Sequence, residues 1–381
     1  MVDTVEIGMG RSARRAYELD DVTIVPSRRT RSSSDISTVW QIDAYRFEIP
    51  VLTHPSDAIV SPAVAAGVAE LGGLGVLDGE GLWARHGDPQ SVIDDLLTQG
   101  SEADDPDEVI AFLQKAYHEP VSLNLLTEAI GELRTGGGTV AVRLSPQNAM
   151  ALAGPAIAAG VELLVIQGTI VSAEHVQHNG EALNLKSFIA DLDVPVIVGG
   201  CTNYQTATHL MRTGAAGVIV GTGDGATSTT DEVLGIDVPM ATAIADAAAA
   251  RRAYLDETGG RYVHVIAAGG IHSSADIAKA IACGADAVML GEPLTWAAEA
   301  PAAGWFWPNT AAHPVLPRGF AAPCGPADVP LRQLLLGPAL GADGRTNLFG
   351  ALRRAMAKAG YSDLKEFQKV GLSVRGEPGR E

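Results

Sequence analysis

The chain has 381 residues, of which 46% are hydrophobic, 19% charged and only 5% aromatic, and it carries a formal charge of −18 at pH 7. That length is ample for a large α/β domain with its own core, and the acidic balance repels polyanions, which argues against nucleic acid or an anionic membrane surface as partner. Three cysteines do not make a disulfide framework, so a reducing, cytoplasmic compartment is expected.

Residues 1–15 mix acidic and basic side chains without an apolar run and do not read as a signal peptide. Short, fully apolar runs then recur at 51–54, 74–77, 139–144, 163–167, 196–199, 217–221, 263–268 and 287–291. Runs without alternation fit strands buried on both faces, as in a parallel sheet with helical crossovers, and none is long enough to span a membrane. Helix punctuation lies between them. Ser61-Pro62 opens a helix that Gly72 closes; Asn203 and Gly214 bracket another, and Ser274 and Gly284 a third. The stretch 213–221 resembles 283–291, each a helix end, a turn and the next strand.

Eight such units predict an α/β fold, a (β/α)8 TIM barrel forming one domain over 1–381, with an open doubly wound sheet as the rival. Residues 81–138 are too long for one crossover and predict an inserted helical and acidic segment between strands 2 and 3, with 101–108 as a linker. Residues 300–346 form a Pro- and Gly-rich excursion after strand 8 that carries Trp305, Phe306 and Trp307; a loop of that length suits a lid or an interface. Helices at 348–359 and 363–369 close the chain.

In such a barrel chemistry sits at the C-terminal ends of the strands. Those positions hold His54, Ser56 and Asp57, then Gln167 and Thr169, then Cys201 and Asn203, then a polar glycine loop at 221–232. Gly269, Gly270 and His272 follow strand 7, and Gly291 and Glu292 follow strand 8. The glycines suit either tight turns or an anion site built from backbone N–H groups, and the Glu292 carboxylate works against the anion. The Gly221-x-Gly223-x-Gly225 string lacks the helix start and the acidic residue of a dinucleotide fingerprint. His54 and His272 lack a metal-site spacing and read as surface residues, so no metal is expected. Cys201 and Cys283 read as small buried residues and Cys324 as exposed.

Longer stretches resemble the IMP dehydrogenase/GMP reductase family in its short form without CBS domains. They are residues 18–26, 49–52 with Pro55 and Asp57, 71–75, the loop from Gly223 through Gly235 to Pro239, 269–271, 284–291, and 350–353 with Gly360 and Tyr361. The resemblance implies a homotetramer, a purine nucleotide ligand, NAD or NADP as cofactor and a place in purine metabolism. It also implies a cysteine thiolate in the strand 6 loop that attacks the purine; that position is Ser228 here, and Thr230 matches the loop threonine. Ser228 and Thr230 are therefore the candidate catalytic residues, and Gly225, Gly269, Gly270, Gly291 and Glu292 the candidate ligand-binding ones.

Other positions that the resemblance makes functional also differ. The ribose-binding aspartate is Ala268, the phosphate-binding serines are Glu292 and Ala226, and the methionine on the base is Ser56. The strand 4 aspartate is Gln167, the strand 5 asparagine is Cys201, and the Arg-Gly flap has no nearer counterpart than Arg318-Gly319. A serine hydroxyl is far less acidic than a thiol and needs an adjacent base. The expectation is a weak or inactive IMP/GMP oxidoreductase acting as a binding or regulatory protein. The alternative is an active NAD(P)-dependent purine nucleotide oxidoreductase with a rearranged site.

Overall fold

The computed structural model describes residues 4–102, 106–175, 183–223, 230–310 and 321–375. Eight parallel strands form one curled sheet: β1 (Val51–Thr53), β2 (Val76–Asp78), β3 (Ala141–Leu144), β4 (Leu163–Gln167), β5 (Val196–Cys201), β6 (Gly217–Val220), β7 (His264–Ala268) and β8 (Ala287–Leu290). Neighbours pair in chain order from β2 to β8, and β8 pairs with β1, placing Met289 opposite Leu52. A parallel bridge between Leu52 and Leu74 draws β1 toward β2: Thr53 N–H donates to the Leu74 carbonyl at 3.0 Å, and Leu74 N–H to that of Val51 at 2.9 Å. The sheet is thus a nearly closed (β/α)8 barrel, not the open doubly wound rival. Every strand residue is buried, because one face meets the barrel interior and the other the helices, which is why the runs show no polar alternation. Strand β3 starts two residues later than its apolar run, and β5 runs on to Cys201.

Local punctuation sets the crossovers. Ser61 Oγ accepts from Val64 N–H ahead of the helix Pro62–Glu70, and Asn203 caps Tyr204–Met211 through Thr206 N–H. The cap before Ser274–Cys283 is Ser273, one residue earlier than its sequence suggests, and Asp276 completes a capping box. Three helices fill the long β2–β3 connection: Pro89–Glu102, Pro106–His118 and Leu123–Gly136. Of the acidic stretch expected as a linker, 101–102 end one helix and 106–108 begin the next, and 103–105 lie outside the described residues.

Both ends of the barrel are covered. At the N-terminal ends of the strands, the hairpin Trp40–Ile42/Tyr45–Phe47 brings the Trp40 indole to donate to Nδ1 of His264 at 3.1 Å. At the opposite end, Trp305–Phe306 pairs antiparallel with Ala322–Pro323, and Phe306 and Trp307 are buried. The last long helix is Leu348–Ala359; the expected helix at 363–369 is a single turn, Leu364–Phe367, capped by Asp363. Among the described residues no helix is long and apolar enough to cross a membrane.

Candidate functional site at the barrel mouth

The C-terminal ends of the strands surround a narrow cavity. His54 follows β1, Gln167 ends β4, Thr222 follows β6, Ala268 ends β7 and Met289 lies on β8; Pro308, Asn309 and Thr310 cover them. Among the described residues no charged side chain lines it. Glycine is required where the loops meet. A Cβ on Gly221 (φ 127°) would lie 1.8 Å from the Ala268 carbonyl oxygen, and one on Gly269 (φ 124°) 2.8 Å from that of Gly223. These two residues let the β6 and β7 loops press together.

The expectation of a surface His54 is corrected: its ring is buried against Phe306, with centroids 5.8 Å apart. Burial and then the Arg143 charge push its pKa down to about 3, so the imidazole is neutral. Its Nδ1 has no hydrogen-bond partner among the described residues, and the same holds for Oε1 of Gln167 and Nδ2 of Asn309. Nε2 of Gln167 reaches the Met289 sulfur at 3.4 Å, while its backbone carbonyl accepts from Arg143 at 2.7 and 3.1 Å.

Beneath the cover a polar chain ties the excursion to β1. Ser56 Oγ donates to the Trp307 carbonyl, the Trp307 indole donates to the Tyr117 hydroxyl at 3.0 Å, and that hydroxyl donates to Asp57. Burial and then the charge of Asp78 push the Asp57 pKa up to about 7. Asp78 itself is paired with Arg143 at 3.2 Å, both side chains being buried. The sequence marks Trp307 only as one of three clustered aromatics in the excursion, and it does not mark Tyr117, Arg143 or Asn309. Position at a strand end marks His54, but nothing local marks residues brought in from the insertion and the excursion.

Of the candidate ligand residues, Gly269 lines the cavity, and Gly270, Gly291 and Glu292 follow the ends of β7 and β8. His272 N–H and Ser273 N–H both donate to Asp276 Oδ2, and Ser274 N–H donates to the Gly344 carbonyl. Three backbone donors at this helix start, those of His272, Ser273 and Ser274, are thus engaged, two of them by a carboxylate. Gly291 precedes the short 3-10 helix Glu292–Trp296, and the half-buried Glu292 carboxylate lies 3.4 Å from Nδ1 of His272. That contact holds Glu292 below the usual carboxylate range against the opposing effect of burial. His272 is half exposed, as expected of a surface residue. Thr230 is buried at the start of the helix Thr230–Leu234. Gly225, Ala226 and Ser228 lie outside the described residues, as do Arg318 and Gly319.

The family model for the IMP dehydrogenase / GMP reductase domain matches residues 16–312. The chain belongs to this family. Within it, a protein of Mycolicibacterium smegmatis named only as an uncharacterized oxidoreductase is 62% identical over 372 residues, 97% of this chain and 99% of its own. The inosine-5'-monophosphate dehydrogenase of Haemophilus influenzae is 37% identical over 188 residues, 49% of this chain and 35% of that protein. A crystal structure of an IMP dehydrogenase/GMP reductase-like protein from Corynebacterium glutamicum superposes with a TM-score of 0.93 at 53% identity, covering 98% of each chain. The shared barrel agrees with the resemblance that the strand-end motifs carry.

Proposed function

We propose that this family member binds a purine-type ligand at the barrel mouth without ordinary IMP or GMP turnover, and serves a binding or regulatory role in purine nucleotide metabolism. The observation that carries the reading is the lack of a cysteine in the β6 loop, where the family's chemistry needs its thiol. Of the chain's three cysteines, none lies in the β6 loop. Cys201 is buried in the barrel wall, donates to the Ile219 carbonyl at 3.4 Å, and has its pKa pushed up to about 12 by burial. Cys283 ends its helix away from the mouth, with burial pushing its pKa up to about 11. Ser228 would need a base, and His54, the imidazole of the cavity, is a poor one at pH 7 because its pKa is about 3.

The family's nicotinamide cofactor fits these surroundings poorly. Among the described residues no cation lines the cavity to meet the phosphates of NAD or NADP, and at the helix start after β7 the His272 and Ser273 N–H groups donate to Asp276. No hydride step is therefore assigned to these residues. A cytoplasmic homo-oligomer, a tetramer on the family's pattern, completes the reading. The name carried by the 62%-identical relative favours oxidoreductase chemistry and no more; on the family's pattern the second reading is an NAD(P)-dependent purine nucleotide oxidoreductase with a rearranged site.

Absorbance of NAD(P)H with IMP or GMP separates the two. We expect no turnover above the buffer background, and none from Ser228→Cys, because Ala268 and Glu292 remain. Turnover that Ser228→Ala abolishes would establish the second reading instead.

A further inference from the structure

We propose that the N-terminal hairpin is an assembly arm that docks on the exposed segment 231–237 of a second copy of this chain. The proposal goes beyond the reading of the mouth, holds whatever that cavity binds, and names the surface through which a homo-oligomer forms. Thr4–Gly8 pairs antiparallel with Arg11–Arg14, and every residue of both strands is exposed. A two-stranded ribbon of this size is marginal in water on its own, so its fold calls for a surface to lie on.

Its two faces are unlike. The register sets Thr4 opposite Arg14, Val5 opposite Ala13 and Glu6 opposite Ser12. Alternation then puts Thr4, Glu6, Ser12 and Arg14 on one face and Val5 and Ala13 on the other. The polar face turns to its own barrel: Arg14 Nη1 donates to both oxygens of Asp246, at 2.9 and 2.7 Å. The root of the hairpin is fixed where Tyr17 N–H donates to Thr242 Oγ1 at 2.8 Å. The apolar face therefore looks away from the molecule that carries it, with Ile7 66% exposed and Met9 at the turn fully so.

The complement lies on the same chain. Residues 231–237, every one exposed, lead into the helix Met240–Thr258 and combine Val233, Leu234 and Ile236 with Asp231, Glu232 and Asp237. Of the fourteen large apolar side chains exposed among the described residues, six fall in these two short segments, a concentration that marks an interaction surface. Their charges are opposite, because residues 4–15 carry Arg11, Arg14 and Arg15 against Glu6 alone, in a chain of −18. A basic, apolar arm on a strongly acidic protein thus matches an acidic, apolar segment. Because the arm's apolar face is turned outward, the segment it meets is that of a second copy, and a closed ring lets every copy give one arm and receive one.

Sedimentation velocity of the full chain across a dilution series tests this. The parent should associate, and Val5→Glu with Ile7→Glu should weaken association by about tenfold or more. The far-UV circular dichroism spectrum should stay unchanged, since both side chains are exposed in the single copy. Arg11→Glu and Glu232→Arg should each weaken association by about two- to fivefold, and combined in one chain they should restore it. The proposal is overturned if the parent is monomeric, if the Val5 and Ile7 variant associates like the parent, or if the combined charge exchange stays as weak as the single ones. Nucleic acid held by the parent and released by Arg11→Glu would overturn it in favour of a polyanion. A monomeric parent would also remove the homo-oligomer from the preceding reading, whereas variants that associate like the parent would leave it standing.

Discussion

At His54 the fold holds a titratable ring in the one state that burial tolerates. Its pKa falls from 6.5 to about 3, through burial first and the Arg143 charge second. Below pH 6.5 the unfolded chain takes up a proton that the native ring refuses, so this site's contribution to stability is lost as pH falls from 6.5 toward 3. At pH 5 the loss is about 2 kcal/mol, at roughly 1.4 kcal/mol per unit. His54→Gln should therefore lose less stability than the parent between pH 7 and 5 in denaturant melts; parallel curves would refute the assignment. His264, lowered to about 4, acts with the same sign in both proteins. Asp57 acts oppositely. Raised from 3.8 to about 7, it favours the fold when protonated, and its contribution is lost as pH rises through that window. Asp57→Asn should gain on the parent from pH 4 to 7, with Asp78 and Arg143 left in place. The chain position of His54, just past an apolar strand, placed it at the mouth. Its burial did not follow from the sequence, because the groups that cover it, Phe306 and Pro308 to Thr310, lie about 250 residues away.

The elements divide by how their shape is fixed. Strands and capped helices were legible because unbroken apolar runs and Ser, Asn or Gly at helix ends act over a few residues. The excursion was legible only as unusual. Its fold depends on one tryptophan making two bonds to distant elements, its carbonyl to Ser56 and its indole to Tyr117. Trp307 is fully buried, so Trp307→Ala should cost about 3–5 kcal/mol as lost packing. Tyr117→Phe should cost about 1–3 kcal/mol by leaving the Trp307 indole N–H unmatched, while Asp57 Oδ2 keeps the Leu82 N–H at 2.9 Å. In a double-mutant cycle read by urea unfolding, the two substitutions should cost less together than their sum, since each breaks the same bond. Strict additivity would mean that the excursion and the insertion are not joined through this contact.

For the molecule as a whole, the barrel is clamped at the N-terminal ends of its last strands by one buried carboxylate. Asp286, just ahead of β8, accepts from Arg251 of the helix Met240–Thr258 at 2.6 Å, from Val265 N–H on β7 at 2.9 Å, and from Tyr262 at 2.7 Å. From the closing segment, Lys365 reaches it at 2.7 Å and Gln368 at 3.0 Å. Burial pushes this carboxyl up, but Arg251 and Lys365 outweigh it and hold the group well below the usual carboxylate range. Its stabilisation is therefore present above the unfolded value of 3.8 and is lost only as pH falls below that. The two cations are not equivalent, because the Arg251 side chain is 7% exposed and that of Lys365 55%. Asp286→Asn strands a buried guanidinium and should cost about 3–5 kcal/mol. Lys365→Met removes a partner that water largely replaces and should cost about 1 kcal/mol or less. Equal losses in chemical denaturation would show that the closing segment, and not the buried pair, carries the clamp.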